Sequence, residues 1–239
     1  MFRRALAGIS SRIASQCAFC HAWPARPVCG ACVARFAQPI ARCRTCALPL
    51  PAASVTDSAA QCGACLRHAP PLDACVAAVD YAYPWSDAIT RFKFEGDTGW
   101  ARPLADLLRH TPWAEPALDA ADLVLPMPLA DARLRERGFN QALLLARHLA
   151  PGKTHGGLLL RLRATPPQAR LTRAERLRSV QGAFMADPLH AALLQGKGVL
   201  LVDDVMTSGA SLFAAAQALR TAGARSVAAL VVARTPEPG

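Results

Sequence analysis

The sequence predicts an α/β protein in which a parallel sheet carries helices on both faces and follows a small, metal-held module. Three observations carry this expectation. The stretch VLLVDDVMTSGAS at 199–211 runs from an apolar strand through two acids into a loop of small and hydroxyl residues, and then into helical spacing. Eight of the nine cysteines fall into four Cys-x2-Cys pairs within residues 17–65. At 239 residues the chain has room for one core domain of about 150 residues beside such a module.

Residues 1–16 place Phe2, Leu6, Ile9 and Ile13 at helical spacing among arginines, which predicts a short amphipathic N-terminal helix. The segment lacks the unbroken apolar core of a secretory signal. Although 52% of the chain is hydrophobic, its longest apolar runs fall far short of the roughly 20 residues that cross a bilayer. The expectation is a cytoplasmic protein with no membrane span, whose first helix is at most a membrane-surface contact.

Residues 17–75 are expected to form a double zinc ribbon. Nine cysteines in a cytoplasmic chain argue for metal before disulfides. A Cys-x2-Cys pair grips one ion from a single turn, and two pairs complete a tetrahedral site. Four pairs therefore imply two Zn2+ ions. The preferred pairing is sequential, with Cys17, Cys20, Cys29 and Cys32 on one ion and Cys43, Cys46, Cys62 and Cys65 on the other. The spacing also admits an interleaved arrangement. His21 and His68 stand near the pairs but are not needed as ligands. Four thiolates leave no open coordination position, so both ions are structural. A segment rich in Pro, Ala and Arg has little core of its own, and zinc supplies its folding energy. Cys75 falls outside the pattern, opens the apolar run CVAAVDYAY and reads as a buried thiol.

Residues 76–239 form the expected α/β domain. The segment DLVLPMP predicts a strand over 123–125 that breaks at Pro126 and Pro128 into a rigid loop. RERGFNQALLLARHLA begins a helix near Asn140. LLLRLRATPPQARLTRAERLRS leaves a strand and enters a basic segment. The apolar run 199–202 reads as a central strand covered on both faces. From Ala210, Leu212, Phe213, Ala216 and Leu219 repeat at helical spacing, with Gly223 as the stop. SVAALVVAR is the last strand.

The strand, tight loop and helix around 199–221 place a ligand site at the carboxyl edge of the sheet. Backbone N–H groups over 207–211 and the hydroxyls of Thr207, Ser208 and Ser211 sit at a positive helix N-terminus, a natural phosphate site. Asp203 and Asp204 accept hydrogen bonds only, which suits sugar hydroxyls or a metal ion. Together these groups describe a ribose 5-phosphate lying across the strand end.

VLLVDDVMTSGAS resembles the phosphoribosyl pyrophosphate (PRPP) motif of type I phosphoribosyltransferases. The wider chain resembles the ComF family of competence-related proteins, through its cysteine-rich front, RFKFEGD at 91–97, VLPMPLADARLRERGFNQA at 124–142 and QARLTRAERLRSVQGAF at 168–184. The resemblance implies a zinc module joined to a type I phosphoribosyltransferase-like domain that binds PRPP with Mg2+. It makes Pro126, Met127 and Pro128 the pyrophosphate loop and places the Arg137 to Gln141 run beside the ligand. It also implies that Thr207, Ser208, Gly209, Ala210 and Ser211 bind the 5-phosphate, and that the basic segment is a loop closing over PRPP. Ser179 stands where that family usually carries Asn.

Residues 133–178 hold ten arginines and one lysine against two glutamates, a field suited to phosphate. In a transferase, Asp203 and Asp204 would favour the positive charge that develops on the ribose. Arg137, Arg161, Arg163 or Arg176, with Mg2+, would neutralise the departing pyrophosphate. No covalent nucleophile is required, and the sequence does not reveal the acceptor. The competing reading is a non-catalytic PRPP or nucleotide sensor, or a partner in single-stranded DNA handling with DNA-uptake proteins. For direct DNA stacking, aromatics are scarce: Phe139 and Phe184 are the only two from 133 to 184.

Overall fold

The computed structural model describes residues 15–23, 26–50, 60–163, 180 and 182–236. The helix expected over 1–16 is outside this set except for its last two residues, as are Arg176 and the basic segment 164–179. By packing, the chain divides into two compact units, Met1–Gln38 and Pro39–Gly239. The boundary falls between the two groups of cysteines, inside the stretch expected to be one ribbon module.

The first unit contains one described helix, α1 (Gly30–Phe36), with Cys29 as its N-cap. The Cys17–Cys20 turn closes with a hydrogen bond from the His21 N–H to the Cys17 carbonyl at 2.9 Å. Phe19 and Phe36 meet edge-to-face at 6.4 Å, a small apolar prop for a unit otherwise held through its cysteines.

The second unit begins with a turn of the same kind. Ala47 N–H donates to the Cys43 carbonyl at 2.8 Å, and α2 (Gly63–Arg67) starts from Cys62. Then follow β1 (Ala74–Asp80), α3 (Trp85–Phe94), α4 (Ala101–Arg109), α5 (Ala114–Ala120), β2 (Leu123–Pro126), α6 (Asp131–Arg137) and α7 (Gln141–Leu149). The order closes with β3 (Leu159–Arg161), β4 (Phe184–Ala186), β5 (Gly198–Met206), α8 (Ala210–Thr221) and β6 (Ser226–Arg234). The main sheet has the order β1-β6-β5-β2 and every pairing in it is parallel. β3 and β4 form a separate antiparallel pair.

Both faces of this sheet are covered, which is why its strands are continuous apolar runs. On one face Val199 and Leu201 of β5, Val227 and Ala229 of β6 and Leu125 of β2 join Leu212, Ala216 and Leu219 of α8 in a single buried cluster. The alternate residues Leu200, Val202, Leu230 and Val232 are equally buried. They belong to the opposite face, where α4 and α7 pack against each other and against the strands.

The first cluster also contains Cys43, Cys46, Cys62, Cys65, Leu72 and Cys75. The second group of cysteines therefore packs into the core of the α/β body, which is why the packing boundary falls ahead of it.

β5 continues past the apolar run through the acids to Met206, which keeps Asp203 and Asp204 at the strand end. One local expectation changes. The loop after Pro128 gives way to α6, a helix with no buried residue and so no apolar stripe by which to recognise it.

Candidate functional site

At the carboxyl ends of β2 and β5 lies a cleft of about 320 Å3. Its lining brings together Asp203, Asp204, Thr207 and Ser211 from the β5–α8 junction, Met127 and Pro128 after β2, Arg137 from α6, and Arg161 from β3. Of the other residues singled out above, Pro126, Ser208, Gly209, Ala210 and Arg163 do not line it, and Arg176 is outside the described residues.

Consecutive strand residues point to opposite faces of a sheet, and this separates the two acids. Asp204 is 4% exposed and its carboxylate meets Lys93 Nζ of α3 at 2.9 Å. Asp203 lies on the other face of the strand, where the charges of Lys93 and, more weakly, Arg161 favour its ionised form, while its Oδ1 accepts the Asp204 N–H at 2.9 Å. Burial, followed by the adjacent Asp204 charge, pushes the Asp203 carboxyl up to about 7. The pair is thus short of positive charge even with Lys93 in place. Two such hard oxygen donors suit Mg2+ or a polyhydroxyl ligand.

The opposite wall is cationic. Arg133 and Arg137 lie one turn apart on α6 and both face the cleft. Arg137 Nη1 donates to Gln141 Oε1 at 3.2 Å, and its guanidinium stacks over Phe94 at 4.9 Å. Gln141 is buried and its Nε2 donates to the Lys93 carbonyl at 3.3 Å, tying α7 to the end of α3. Arg161 lies over the Phe184 ring at 5.4 Å. Burial lowers the proton affinity of both Arg137 and Arg161, partly offset by the acids across the cleft. Asn140 caps α7 by accepting the Leu143 N–H at 3.1 Å, while its Nδ2 donates to the Met127 carbonyl at 3.0 Å and fixes the loop after β2.

Between these walls, Gly209 turns the chain from β5 into α8 with φ of 81°. A Cβ there would lie 2.5 Å from Met206 Cε and 2.7 Å from Phe213 Cζ, so only glycine fits.

The cysteines form two tetrads, Cys17, Cys20, Cys29 and Cys32 in the first unit and Cys43, Cys46, Cys62 and Cys65 in the second, each with its sulfurs within 4.8 Å of one another. His21 and His68 belong to neither. A tetrahedron of sulfurs 2.3 Å from zinc has edges of about 3.8 Å. Cys20 and Cys29 stand 3.6 Å apart, and Cys46 and Cys62 3.7 Å apart, far beyond a disulfide bond and close to that edge.

The thiols are already differentiated. Burial opposes ionisation of Cys17, but backbone N–H donors, led by that of Cys29, outweigh it and bring Cys17 down to about 6. Chiefly through its side-chain hydrogen bond with Cys46, Cys43 falls to about 4. Burial pushes Cys32 and Cys65 up to about 12, because neighbouring thiolates cannot all ionise without a cation among them. Both tetrads thus fit zinc. Cys75, buried outside them, is also pushed up to about 12 by burial and donates to Met206 Sδ at 3.6 Å.

Three comparisons bear on this architecture. Residues 164–239 match the family model described as the phosphoribosyl transferase domain. The chain is 31% identical over 214 residues to the DNA utilization protein YhgH of Salmonella typhimurium, covering 87% of this chain and 90% of that one. It is 30% identical over 182 residues to competence protein F of Haemophilus influenzae, covering 74% and 79% respectively. The chain belongs to the ComF family.

A solved structure of the allosteric regulatory enzyme of purine biosynthesis aligns over 55% of this chain and 25% of its own, at 20% identity and a TM-score of 0.35. By its family match and its two cysteine tetrads, this ComF-family chain joins a phosphoribosyltransferase-like parallel sheet to a cysteine-rich front that can hold two zinc ions. Among the described residues no helix is long and apolar enough to cross a membrane.

Lys93, Arg133, Tyr81 and Phe94 also line the cleft without having been assigned a role from sequence. Lys93 and Phe94 do lie inside RFKFEGD, one of the segments that carry the family resemblance.

Proposed function

We propose that the cleft binds PRPP with Mg2+, and that the protein transfers or recognises a phosphoribosyl group. The observation that carries this reading is the meeting, in one cleft, of a strand-end acid pair, a hydroxyl-bearing helix start and a cationic wall. Asp203 and Asp204 take the ribose hydroxyls and are the groups available to Mg2+. Thr207 and Ser211, with Ser208, Gly209 and Ala210 between them, receive the 5-phosphate. The turn at Pro126, Met127 and Pro128 takes the pyrophosphate, faced by Arg137 and Arg161. Arg163 and Arg176 are added on family resemblance alone.

When bound, Mg2+ supplies charge neutralisation at the pyrophosphate. Opening of the bond at the anomeric carbon leaves positive charge on the ribose, favoured by the acids, and negative charge on the leaving group, met by Arg137 and Arg161. The acceptor donates the new bond, so no side chain need act as a covalent nucleophile.

We further propose that residues 17–75 act as a double ribbon and 76–239 as the transferase-like domain, in the reducing cytoplasm where thiolate–zinc sites persist. The names of the relatives, a DNA utilization protein and a competence protein, support a competence-related role; single-stranded DNA or DNA-uptake proteins are the partners we propose on family resemblance. Micromolar or weaker binding of single-stranded DNA at physiological salt, measured by anisotropy, would leave PRPP as the primary ligand of the basic field.

Calorimetry on zinc-loaded protein tests the ligand. Wild type should bind PRPP only with Mg2+ present, and Asp203→Asn combined with Asp204→Asn should weaken binding about a hundredfold or more. Each charge-assisted hydrogen bond lost is worth about 1.5–3 kcal/mol. No binding by wild type, or equal binding by the variant, defeats the reading. Binding without pyrophosphate release across a panel of nucleobases and amines assigns the protein as a sensor.

A further inference from the structure

Arg234 ends the last strand of the sheet and is 2% exposed. A guanidinium this deeply buried is rare without a partner of opposite charge. Among the described residues Arg234 makes no ion pair with a carboxylate. Its neighbour in register on β1, Asp80, is engaged instead by Arg42 at 2.8 Å.

The side-chain hydrogen-bonding partners of Arg234 are main-chain carbonyls, from the cysteine turn, from the β5–α8 junction and from its own neighbour Thr235. Nε donates to the carbonyl of Cys46 at 2.9 Å, on the turn that carries two cysteines of the second tetrad. Nη1 lies against the carbonyls of Met206, at 3.3 Å, and of Thr207 and Thr235. One side chain therefore clamps the cysteine turn to the first residues of the loop that leads into α8.

Arg42 reinforces the same turn from the other side, with Nη1 donating to the Ala47 carbonyl at 3.2 Å. A second path runs parallel to the clamp. Cys75 Sγ contacts Met206 Sδ at 3.6 Å, and Met206 Cε is the atom that a side chain at Gly209 would strike. The four cysteines, Cys75, Met206 and Ala210 are members of one buried cluster.

The charges agree with this geometry. A zinc ion held by four thiolates carries a net charge of about −2. Such a centre supplies the negative charge that the buried Arg234 otherwise lacks. Among the described residues Arg234 is the one buried arginine, and it serves the second tetrad.

We propose that Arg234 is a positioning residue that couples the metal state of the second cysteine tetrad to the loop at 207–211. Loss of metal from Cys43, Cys46, Cys62 and Cys65 frees the Cys46 carbonyl and the negative charge together, releases Arg234, and loosens the loop that begins at Thr207. Loss of metal from the first tetrad leaves the loop as it was. The second tetrad is thereby a control on the ligand cleft, responsive to zinc supply. The ligand half of this inference rests on the phosphoribosyl reading, whereas the coupling itself does not.

The experiment uses the full chain and reads amide hydrogen exchange at Phe213, whose N–H donates to the Gly209 carbonyl of the loop at 2.9 Å, with β2 residues 123–125 as the fold control. Cys62→Ser and Arg234→Met should each speed exchange at Phe213 about tenfold or more, the scale of one lost charge-assisted hydrogen bond, and leave 123–125 protected. Cys20→Ser, which disables the first tetrad, should leave Phe213 at the wild-type rate. Arg234→Lys keeps the charge but loses the fork, and should restore only part of the protection.

Should Cys62→Ser fail to fold, zinc release decides the matter. In a Cys20→Ser background, where only the second tetrad is intact, Arg234→Met should hasten loss of the remaining zinc to a chelator. Wild-type exchange at Phe213 in Arg234→Met, or equal effects of Cys20→Ser and Cys62→Ser there, overturns the proposal. If the exchange results hold and wild type binds no PRPP, the ligand reading falls and the coupling stands.

Discussion

Replacing Lys93 with Met removes the one ammonium held against the acid pair while keeping most of its apolar stem. The bond it loses is 2.9 Å long, to a carboxylate on a residue that is 4% exposed. A hydrogen bond to a charged group contributes about 1.5–3 kcal/mol, and breaking a fully buried ion pair costs about 3–5 kcal/mol. Lys93 keeps 22% of its side chain exposed, so the lower scale applies and the expected cost at pH 8 is about 2–3 kcal/mol. For a body of this size that lowers Tm by about 4–10 °C.

The cost should depend on pH, with a sign fixed by Asp203. Its folded value of about 7 lies above the ordinary 3.8, so the folded state binds the proton more tightly than the unfolded chain. The stabilisation this brings is complete below 3.8 and is lost as pH rises through 7. At pH 5.5 Asp203 is largely protonated, and loss of Lys93 leaves one buried carboxylate without its cation. At pH 8 it leaves two side by side. Thermal melts of zinc-loaded Lys93→Met should therefore show a clearly larger deficit at pH 8 than at pH 5.5. Arg91→Met is the control. Its partner Asp97 is 3.0 Å away, but the pair is exposed, and such pairs are worth about 0–1 kcal/mol. Equal deficits at the two pH values, or a deficit no larger than the control's, would refute the claim that Lys93 carries the charge balance of the acid pair.

Two further outcomes are expected. Elemental analysis of protein purified without chelator should find two zinc ions per chain, and a count of none or one contradicts the reading of the two tetrads. Gly209→Ala should lower Tm by about 4 °C or more, since the left-handed backbone alone costs about 1–2 kcal/mol and the added carbon strikes Met206 and Phe213; an unchanged melting curve would show that the β5–α8 turn relaxes freely.

What could be read from the sequence was what is local. The β5–α8 junction announces itself within thirteen residues, because strand, acids, turn and helix start are contiguous. The cysteine pairs do the same, and the repeated CGAC at 29–32 and 62–65 marks the two helix starts, α1 and α2, that complete the tetrads. Helix α6 was missed because none of its residues is buried, leaving no periodic signal. Lys93 was missed for a different reason. It is 111 positions from Asp204, and only the folded chain, with the end of α3 tied to α7 through Gln141, brings the two together. Arg234 was equally hidden, since at the end of an apolar strand it reads as the charge that stops the strand, while its real partners are 27, 28 and 188 positions away.

The alternation of side chains along β5 means that the two acids, adjacent in sequence, cannot play the same part. Asp204 shares the strand face covered by α4 and α7, and Lys93 already pairs with it. Asp203, on the opposite face, bears the raised proton affinity and retains more exposure at the cleft. The consequence for the binding test is an unequal division of the double substitution. Asp203→Asn alone should account for most of the loss of PRPP affinity at little cost in stability, because an amide in its place relieves a carboxyl that the fold holds partly protonated. Asp204→Asn alone strips Lys93 of its partner and should appear chiefly as a lower Tm, with affinity following only as far as the end of α3 shifts. Equal effects of the two on affinity, with neither altering Tm, would mean that ligand binding draws Asp204 away from Lys93 and makes both carboxylates ribose ligands alike.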